Sequence, residues 1–594
     1  MSNKAISAAA CAILIALLAG CATGGSKVEP EEEIPARAPK LPLFLVHYMP
    51  WFEAPPISNT YGWHWHMGST DPFERDHNGR RLIASHYYPL TGPYDGTDPA
   101  LLEYQVLLMK IAGIDGVIVD WYGISSSFDF PGLHRSTQAL FAAVKKAGLK
   151  FAVCYEDQSV GRRVESKEIG DDKAVDAANA DFAWMEQNWL RDEAYLKIAG
   201  YPVVLCFGPQ YLRSSDQWKA VLDGLAPRPL FVTLDGNMAG IADGGYPWPP
   251  MWASVGGKLS MERVEVYLDE FYRLESASPF LVTTAFPGFH DFYGEARVRP
   301  SYGFLDDADG ETFRSTLELA VNANPDVIQI ATWNDFGEGT MIEPTVQKGF
   351  RELESLQALR RRLQPSFPFA AEDLRVPLEV FRRRVGQPAA RDTARLDALS
   401  AAVVKGDAEK YRALLSELGI APETLPVSTP VRRDTEQKAA AAAAATPAAD
   451  PYAEAANIAR GKPVRANNHI YEFTADKALD GEVRTYWEGA AKSYPNQITV
   501  DLGERRALAA IRIKLNPQRI WGPRTQVFTV LASGDGQEFA PVVASAGYRF
   551  DPASNANTVT VPLPSVTTRF LRLSFSDNDG ATGGQIAELE VFGN

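Results

Sequence analysis

Short runs of apolar, often β-branched residues recur through the first part of the chain, and amphipathic segments separate several of them. This pattern is typical of parallel strands joined by crossover helices. Eight such runs lie at 43–47, 116–120, 150–155, 202–207, 229–234, 251–255, 280–285 and 327–332. Eight strands with intervening helices predict an α/β fold, a (β/α)8 TIM barrel over 41–368. A doubly wound open sheet is the alternative, although no glycine-rich phosphate loop follows the first strand.

The pattern changes after the predicted barrel. Residues 369–451 are rich in Ala, Arg, Glu and Pro, with a helix-compatible stretch at 392–418 and an alanine run at 439–445. This composition predicts a helical, low-complexity linker. From 452 to 594, short alternating strands are separated by turns, which predicts a β-sandwich.

The N-terminus has the pattern of an export signal. Lys4 precedes an apolar run, which predicts a signal peptide over 1–20 and not a membrane span. Its last residues, Leu-Ala-Gly, precede Cys21 and resemble a bacterial lipobox, which implies lipidation of that cysteine. A plain signal peptide with an incidental cysteine is the alternative. Because 21–40 reads as a polar tether, we expect an exported bacterial lipoprotein at the outer membrane, the cell surface or the periplasm.

The net charge limits the classes of binding partner, and the cysteine positions limit the possible disulfide bonds. The 594-residue chain has a formal net charge of -15 and no Lys/Arg-rich run, which argues against nucleic-acid binding. No protein partner is implied. Two of the four cysteines lie in the N-terminal segment, which leaves Cys154 and Cys206 near the ends of neighbouring predicted strands. A disulfide is one interpretation, and two small buried thiols are the one we favour.

The eighth apolar run leads directly into a carboxylate cluster that contains Asp335 and Glu338. Barrel enzymes keep their chemistry at the carboxyl ends of the strands. One acid could protonate a glycosidic oxygen while the other activates the attack, so we predict a glycoside hydrolase with this catalytic pair and no cofactor for catalysis. The alternative interpretation is a helix N-cap with Glu at its third position.

Other predicted strand ends carry aromatic residues, histidines and carboxylates. Aromatic rings stack on sugar faces, and charged groups bond to sugar hydroxyls. We therefore predict that a polysaccharide or oligosaccharide is bound by His47, Tyr48, Trp51, His64, His66, Tyr88, Asp120, Trp121, Tyr122, Glu156, Asp157, His290, Asp291, Trp333, Asn334 and Glu343. A metal site of His64 and His66 with Glu156 or Asp157 is an alternative, but no His-Glu-x-x-His helix supports it.

Four segments of the predicted barrel together resemble a known enzyme group. They lie at 47–51, 87–94, 112–122 and 333–343, and the last reads Trp-Asn-Asp-Phe-Gly-Glu-Gly-Thr-Met-Ile-Glu. They resemble glycoside hydrolase family 99, the endo-α-mannosidases, and its relative family 71, the α-1,3-glucanases. The resemblance spans 43–363 and implies hydrolysis of an α-linkage in a polysaccharide.

The resemblance also implies roles for three carboxylates. Glu338 falls on the general acid/base of family 99, and Glu156 on a glutamate that contacts the sugar. Asp335 falls on a family 99 glutamate thought to deprotonate the sugar 2-hydroxyl, giving a 1,2-anhydro intermediate. Family 71 has Asp there and is described as inverting through a water. The substrate, α-mannan-like or α-glucan-like, and the stereochemistry therefore stay open.

A second resemblance covers nearly all of 452–594. The segments at 457–464, 478–481, 500–503, 533–536 and 587–593 resemble the discoidin or coagulation factor V/VIII C-type fold, a jelly-roll, galactose-binding-like sandwich found in family 32 carbohydrate-binding modules. The resemblance implies carbohydrate binding and a structural Ca²⁺ held by Asp480, Thr485 and Glu588, with an uncomplexed turn as the alternative. For the whole chain, the rival hypothesis is a surface lipoprotein that binds glycan without cutting it.

Overall fold

The computed structural model describes most of the chain after the predicted tether. The described residues are 40–238, 240–278, 280–386, 389–431, 452, 455–470, 473–491, 493–518, 521–552 and 554–593. The predicted signal peptide, the lipidation of Cys21 and the alanine run fall outside these residues and stay predictions. Within the described ranges, no helix is both long enough and apolar enough to span a bilayer.

The N-terminal domain is built on eight parallel strands. In chain order they are β1 (Leu43–Tyr48), β2 (Gly116–Trp121), β3 (Lys150–Tyr155), β4 (Tyr201–Cys206), β5 (Leu230–Leu234), β6 (Gly244–Tyr246), β7 (Val282–Ala285) and β8 (Val327–Ile330). They pair in the order β6-β5-β4-β3-β2-β1-β8-β7, and β6 lies beside β7, which nearly closes the ring. The predicted barrel is thus confirmed. A doubly wound sheet would require a reversal of strand order, which is not observed.

The sixth strand was predicted at the wrong place. The strand is Gly244–Tyr246, and Met251–Ala253 of the predicted run form a short 3-10 helix. A Cβ atom on Gly245 would lie 2.6 Å from the backbone nitrogen of Gly236, so this strand needs glycine for the close approach of a neighbouring turn. Because glycine is a poor strand former, local propensity did not indicate a strand here.

Helices surround the barrel and connect its strands. They are α1 (Pro99–Ala112), α2 (Phe130–Lys146), α3 (Gln158–Glu165), α4 (Ala174–Met185), α5 (Ser215–Leu222), α6 (Met261–Glu275), α7 (Glu311–Asn322) and α8 (Arg351–Leu363). Helix α1 ends at Gly113, which adopts φ 84°. The Arg360 side chain donates to the Gly113 carbonyl at 2.8 Å and pairs with Asp115. This contact joins α8 to the turn between α1 and β2.

The residues after α8 differ from the predicted linker. They form α9 (Val376–Val385), α10 (Ala390–Lys405) and α11 (Ala408–Leu418), and their apolar faces belong to the same hydrophobic cluster as the barrel. Each helix carries a buried stripe at helical spacing, for example Leu396, Leu399 and Val403 on α10. The high content of Ala, Arg and Glu hid these stripes at the level of composition.

Replacing Tyr411 with alanine is expected to destabilise the N-terminal domain by about 3–5 kcal/mol, as for other large aromatic residues in cores. The Tyr411 ring is fully buried and meets Phe369 edge-on at 5.5 Å, and its hydroxyl donates to Asp373 at 3.1 Å. Chemical denaturation would measure the loss. The exposed Glu409→Ala on the same helix should change stability by no more than about 0.5 kcal/mol. Equal effects would mean that α11 does not pack on the barrel.

The C-terminal domain is an antiparallel β structure. Its strands are β9 (Val464–Ala466), β10 (Trp487–Glu488), β11 (Asn496–Lys514), β12 (Arg524–Ser533), β13 (Ala540–Phe550), β14 (Thr558–Asn578), β15 (Gln585–Ile586) and β16 (Glu588–Gly593). The main sheet has the order β9-β11-β14-β12-β13, with β16 paired to β11, and β10 pairs with β15. Buried and partly exposed residues alternate along most of β12, because one face of the sheet covers the core. The alternating sequence pattern predicted this arrangement.

Candidate active site

The segment after β8 holds the predicted catalytic pair in a hydrogen-bonded loop. The Asp335 backbone N–H donates to Thr332 Oγ1 at 2.9 Å, and the Glu338 N–H donates to Asp335 Oδ1 at 2.9 Å. The His290 N–H donates to the Glu338 carbonyl, also at 2.9 Å. No helix begins at this point in the described chain. The capping-type bond therefore orients the Asp335 carboxylate and does not start a helix, which rules out the N-cap alternative.

Burial gives the two carboxyl groups different proton affinities. Burial raises the pKa of Asp335 to about 6, opposed by hydrogen bonds from the Glu338 and Gly337 N–H groups. Burial and the Asp335 charge together raise the pKa of Glu338 well above its usual range. Glu338 therefore keeps its proton to higher pH than Asp335 does. Such a separation suits one group to accept a proton and the other to donate one.

A tyrosine that the sequence analysis missed contacts the candidate acid. The Tyr293 hydroxyl donates to Glu338 Oε1 at 3.3 Å. The Arg299 guanidinium lies 3.9 Å from the centre of the Tyr302 ring, and its charge acts on Glu338. These residues lie on the loop after β7, where Asp291 was already a candidate. In the sequence, only the position of Tyr293, two residues after the candidate Asp291, indicated that this tyrosine belongs to the site.

A second carboxyl pair lies in the same bowl, by which we mean the surface at the carboxyl ends of the barrel strands. Asp120 ends β2 next to Trp121, and Glu156 follows β3 and accepts a hydrogen bond from Gln158 Nε2 at 2.6 Å. Burial and the Glu156 charge raise the pKa of Asp120 well above its usual range, and the Asp335 charge adds to this effect. Burial raises the pKa of Glu156 to about 7. Asp120 and Glu156 are thus brought close to the predicted catalytic pair.

Two buried polar atoms in this region have no hydrogen-bond partner in the described structure: Asp120 Oδ1 and His47 Nδ1. Asp120 is 3% exposed and His47 is 1% exposed. The His47 ring packs edge-on against Trp248 at 4.9 Å, and burial lowers its pKa to about 3, so the ring is neutral. Buried polar atoms are normally bonded, so these two atoms are candidates for ligand contact.

His64 and His66 lie on the short helix Trp63–His66 and not on an extended segment. The His64 ring stacks on Trp51 at 4.2 Å, and His66 Nδ1 accepts the Gly68 N–H at 2.8 Å. Burial lowers the pKa of each ring to about 3. The alternative of a metal site at His64 and His66 assumed that the two side chains alternate along an extended segment. The helix removes that basis. The stacked pair of Trp51 and His64 instead offers an apolar surface beside the bowl.

Several predicted substrate contacts brace the barrel instead. Tyr48 donates to Gln105 at 2.8 Å, and Glu343 accepts a bond from Tyr94 at 2.7 Å. The Asn334 amide bonds to both backbone groups of Met49. The polar atoms of Tyr48, Asn334 and Glu343 thus bond within the protein interior, and their sugar contacts stay predictions.

Two tryptophans and two aspartates among the predicted contacts also pack or bond within the protein. Trp121 and Trp333 are fully buried, and Trp121 packs among Trp184 and Trp189 outside the barrel. Asp157 accepts the backbone N–H groups of residues 210, 211 and 212. Asp291 accepts the N–H of Tyr302 at 2.7 Å. Both aspartates therefore hold loops in place.

Three further candidates lie around the bowl. The His290 ring stacks on the His86 ring, at 3.6 Å between centres. Tyr122 lies close enough to Asp120 to bond to its carboxyl group. Tyr88 is nearly buried, and its hydroxyl accepts the Arg81 N–H at 3.3 Å. Of the three, only Tyr122 directly contacts one of the four carboxyl groups.

The predicted calcium ligands come together in the C-terminal domain. The Thr485 hydroxyl donates to Asp480 Oδ2 at 2.6 Å, and Glu588 Oε2 accepts the Gly481 N–H at 2.9 Å. Burial raises the pKa of Glu588 to about 7, and the Asp480 charge contributes. The Asp480 carboxyl group on its turn and the Glu588 carboxyl group at the start of β16 are a donor set that fits Ca²⁺.

The C-terminal sequence is similar to a known protein family. Residues 463–589 match the family model of the F5/8 type C domain. The C-terminal domain is an F5/8 type C domain. This match confirms the resemblance to the discoidin-type fold.

Cys154 and Cys206 in the barrel are free and buried, as favoured from the sequence.

The barrel sequence is similar to two curated proteins. It is 24% identical over 337 residues to a glycoprotein endo-alpha-1,2-mannosidase-like protein of Danio rerio, covering 51% of this chain and 71% of the relative. A protein of the same description from Homo sapiens is 20% identical over 327 residues, covering 51% and 68%. A solved structure of the GH99 endo-alpha-mannosidase from Bacteroides thetaiotaomicron aligns with 54% of this chain and 98% of its own, at 16% identity and a TM-score of 0.42. The two curated relatives confirm the resemblance to the endo-mannosidase group.

Proposed function

We propose that this chain is a glycoside hydrolase that cleaves α-glycosidic linkages in an α-mannan-like or α-glucan-like polysaccharide. The observation that carries the proposal is the buried carboxyl pair after β8, in which the Glu338 N–H bonds to Asp335 Oδ1 and the Asp335 charge helps to raise the pKa of Glu338. The similarity to endo-α-1,2-mannosidase-like proteins supports an α-linked substrate. Glu156 and Asp120 are positioned to hold sugar hydroxyls in the same bowl.

In the proposed reaction, Glu338 donates its proton to the glycosidic oxygen as the bond to the anomeric carbon breaks. The Tyr293 hydroxyl orients the Glu338 carboxyl group through its 3.3 Å hydrogen bond. Asp335 accepts a proton from the nucleophile. That nucleophile is a water in an inverting route and the substrate's own 2-hydroxyl in a 1,2-anhydro route.

The test is product release from a panel of α-mannans, α-1,3-glucan and bacterial exopolysaccharides. We expect the wild-type protein to release saccharide from one class and Glu338→Gln to release far less. Glu318→Gln, a half-exposed residue that pairs with Arg362 on the protein surface, is the matched control and should act like wild type. The rival hypothesis of glycan capture would gain if wild type and Glu338→Gln both bound one polysaccharide equally and neither cut it.

The C-terminal domain is proposed to bind carbohydrate and hold the enzyme on its substrate, which raises the effective concentration of cleavable bonds. The proposed export signal and the lipid on Cys21 would anchor the protein to a membrane. Deleting the C-terminal domain should therefore reduce cleavage of an insoluble polysaccharide more than cleavage of a short soluble fragment. Equal reductions would contradict the tethering role.

Calcium is proposed to stabilise the C-terminal domain by bonding Asp480, Thr485 and Glu588. At a Ca²⁺ concentration of about 100 Kd, a single site adds about 2.7 kcal/mol of stability. Thermal unfolding of the full chain should shift upward when Ca²⁺ replaces EGTA. Asp480→Asn should abolish the shift, while the exposed Asp577→Asn should keep it. A shift that persists in Asp480→Asn would place the calcium elsewhere.

A further inference from the structure

Three neighbouring barrel strands place a mixed set of donor atoms at one level of the barrel interior. His47 lies on β1, Asp120 on β2 and Cys154 on β3, and Asp120 and Cys154 are register partners. One donor atom from each of the three residues lies within 4.8 Å of the other two, and all three residues are buried. The group combines a nitrogen, an oxygen and a sulfur donor.

Two of these residues have a free donor atom. His47 Nδ1 and Asp120 Oδ1 lack a hydrogen-bond partner among the described residues. Cys154 is a free thiol whose sulfur lies 3.4 Å from the Tyr246 hydroxyl, and that hydroxyl can donate to the Cys206 carbonyl at 3.0 Å. The Cys154 sulfur is thus in contact with a hydroxyl oxygen and in no disulfide. Two buried atoms without a hydrogen-bond partner beside a free thiol leave donor atoms available to a ligand.

We infer that His47, Asp120 and Cys154 form a binding site for a divalent transition-metal ion of the Zn²⁺ type. Imidazole, carboxylate and thiolate are the usual zinc ligands, whereas Ca²⁺ and Mg²⁺ prefer oxygen alone. Tetrahedral zinc with bonds of about 2.0–2.3 Å holds its ligands about 3.3–3.8 Å apart, so binding draws these donors together by up to about 1.5 Å. A fourth position remains for water or another oxygen.

Loading the site replaces the thiol proton of Cys154. The metal–sulfur bond forms, the S–H bond breaks and one proton passes to solvent. Metal binding at this site does not depend on the proposed hydrolase activity. We expect no cofactor for catalysis, and this metal ion is proposed in addition to that expectation. It is also separate from the calcium site of the C-terminal domain, whose ligands are oxygens.

The test uses the full chain with Asp480→Asn as background, which removes the other candidate cation site. The reduced protein is stripped with EDTA and titrated with Co²⁺, whose thiolate complexes show a charge-transfer band in the near ultraviolet. We expect one Co²⁺ per chain, the thiolate band, and displacement of Co²⁺ by Zn²⁺. Absence of the band in this protein would overturn the proposal.

Matched variants identify the ligands. Cys154→Ser should abolish the band and weaken Zn²⁺ binding at least about 100-fold, since one of three protein ligands is lost. Cys206→Ser, which removes the other buried thiol, should keep both the band and the affinity. If Cys154→Ser fails to fold by circular dichroism, Asp120→Asn decides, with Zn²⁺ binding weakened at least about tenfold. Unchanged Zn²⁺ affinity in folded Asp120→Asn or Cys154→Ser would overturn the site.

Discussion

Replacing Glu338 with glutamine is expected to lower kcat by about 10²–10⁴-fold, the usual contribution of a positioned general acid. Glutamine has nearly the shape of the protonated carboxyl group and keeps an oxygen that accepts the Tyr293 hydroxyl. The backbone bond from residue 338 to Asp335 is also unaffected. The fold should therefore remain intact, and the loss should appear in the chemical step. Steady-state kinetics on a soluble substrate from the positive class would measure it.

The leaving group provides a sharper readout of the same substitution. The leaving group of an aryl glycoside made from an acidic phenol is a stable phenolate, which departs without needing a proton. Glu338→Gln should therefore lose much less activity on such a substrate than on a saccharide. Thermal unfolding should show wild-type stability. The assignment of Glu338 as the acid fails if both substrates lose activity equally, or if turnover of the saccharide is unchanged.

Asp335→Asn is expected to reduce kcat/KM by about 10²–10⁴-fold, because an amide cannot accept the proton of the nucleophile. The substitution keeps the Oδ1 atom that accepts the Glu338 N–H, so the loop keeps its conformation. In the wild type, activity should fall as the pH drops below about 6, where Asp335 becomes protonated. This fall at acidic pH, the acidic limb of the pH profile, should be absent from the residual activity of the Asp335→Asn variant.

The alkaline limb gives an independent check. The Asp335 charge raises the pKa of Glu338, so removing that charge should lower this pKa and move the loss of activity to lower pH. The measurement is kcat/KM against pH for wild type, Asp335→Asn and the surface control Glu318→Gln. A variant with the acidic limb unchanged would show that another group, such as Glu156, is the base.

The fold class followed from local patterns. Apolar strands such as β2 and β8 are buried on both faces, so their continuous apolar runs predicted them from the sequence. The carboxyl pair Asp335 and Glu338 was also recognisable, because both residues lie in one short motif directly after a strand. The glycine-containing strand β6 was missed, since its position depends on the close approach of a distant turn.

The sequence by itself determined the barrel, the C-terminal antiparallel domain and the position of the Asp335 and Glu338 carboxyl pair, because these depend on periodicity and on neighbouring residues. Only the tertiary structure decided which strand-end side chains face the bowl. Trp121 and Asp120 are adjacent in sequence, yet one packs outside the barrel and the other points inside. Likewise, Tyr293 meets Glu338 and His47 comes near Cys154 only after their strands have paired in the sheet. Contacts between residues so far apart in the chain depend on strand order and register, which local sequence does not encode.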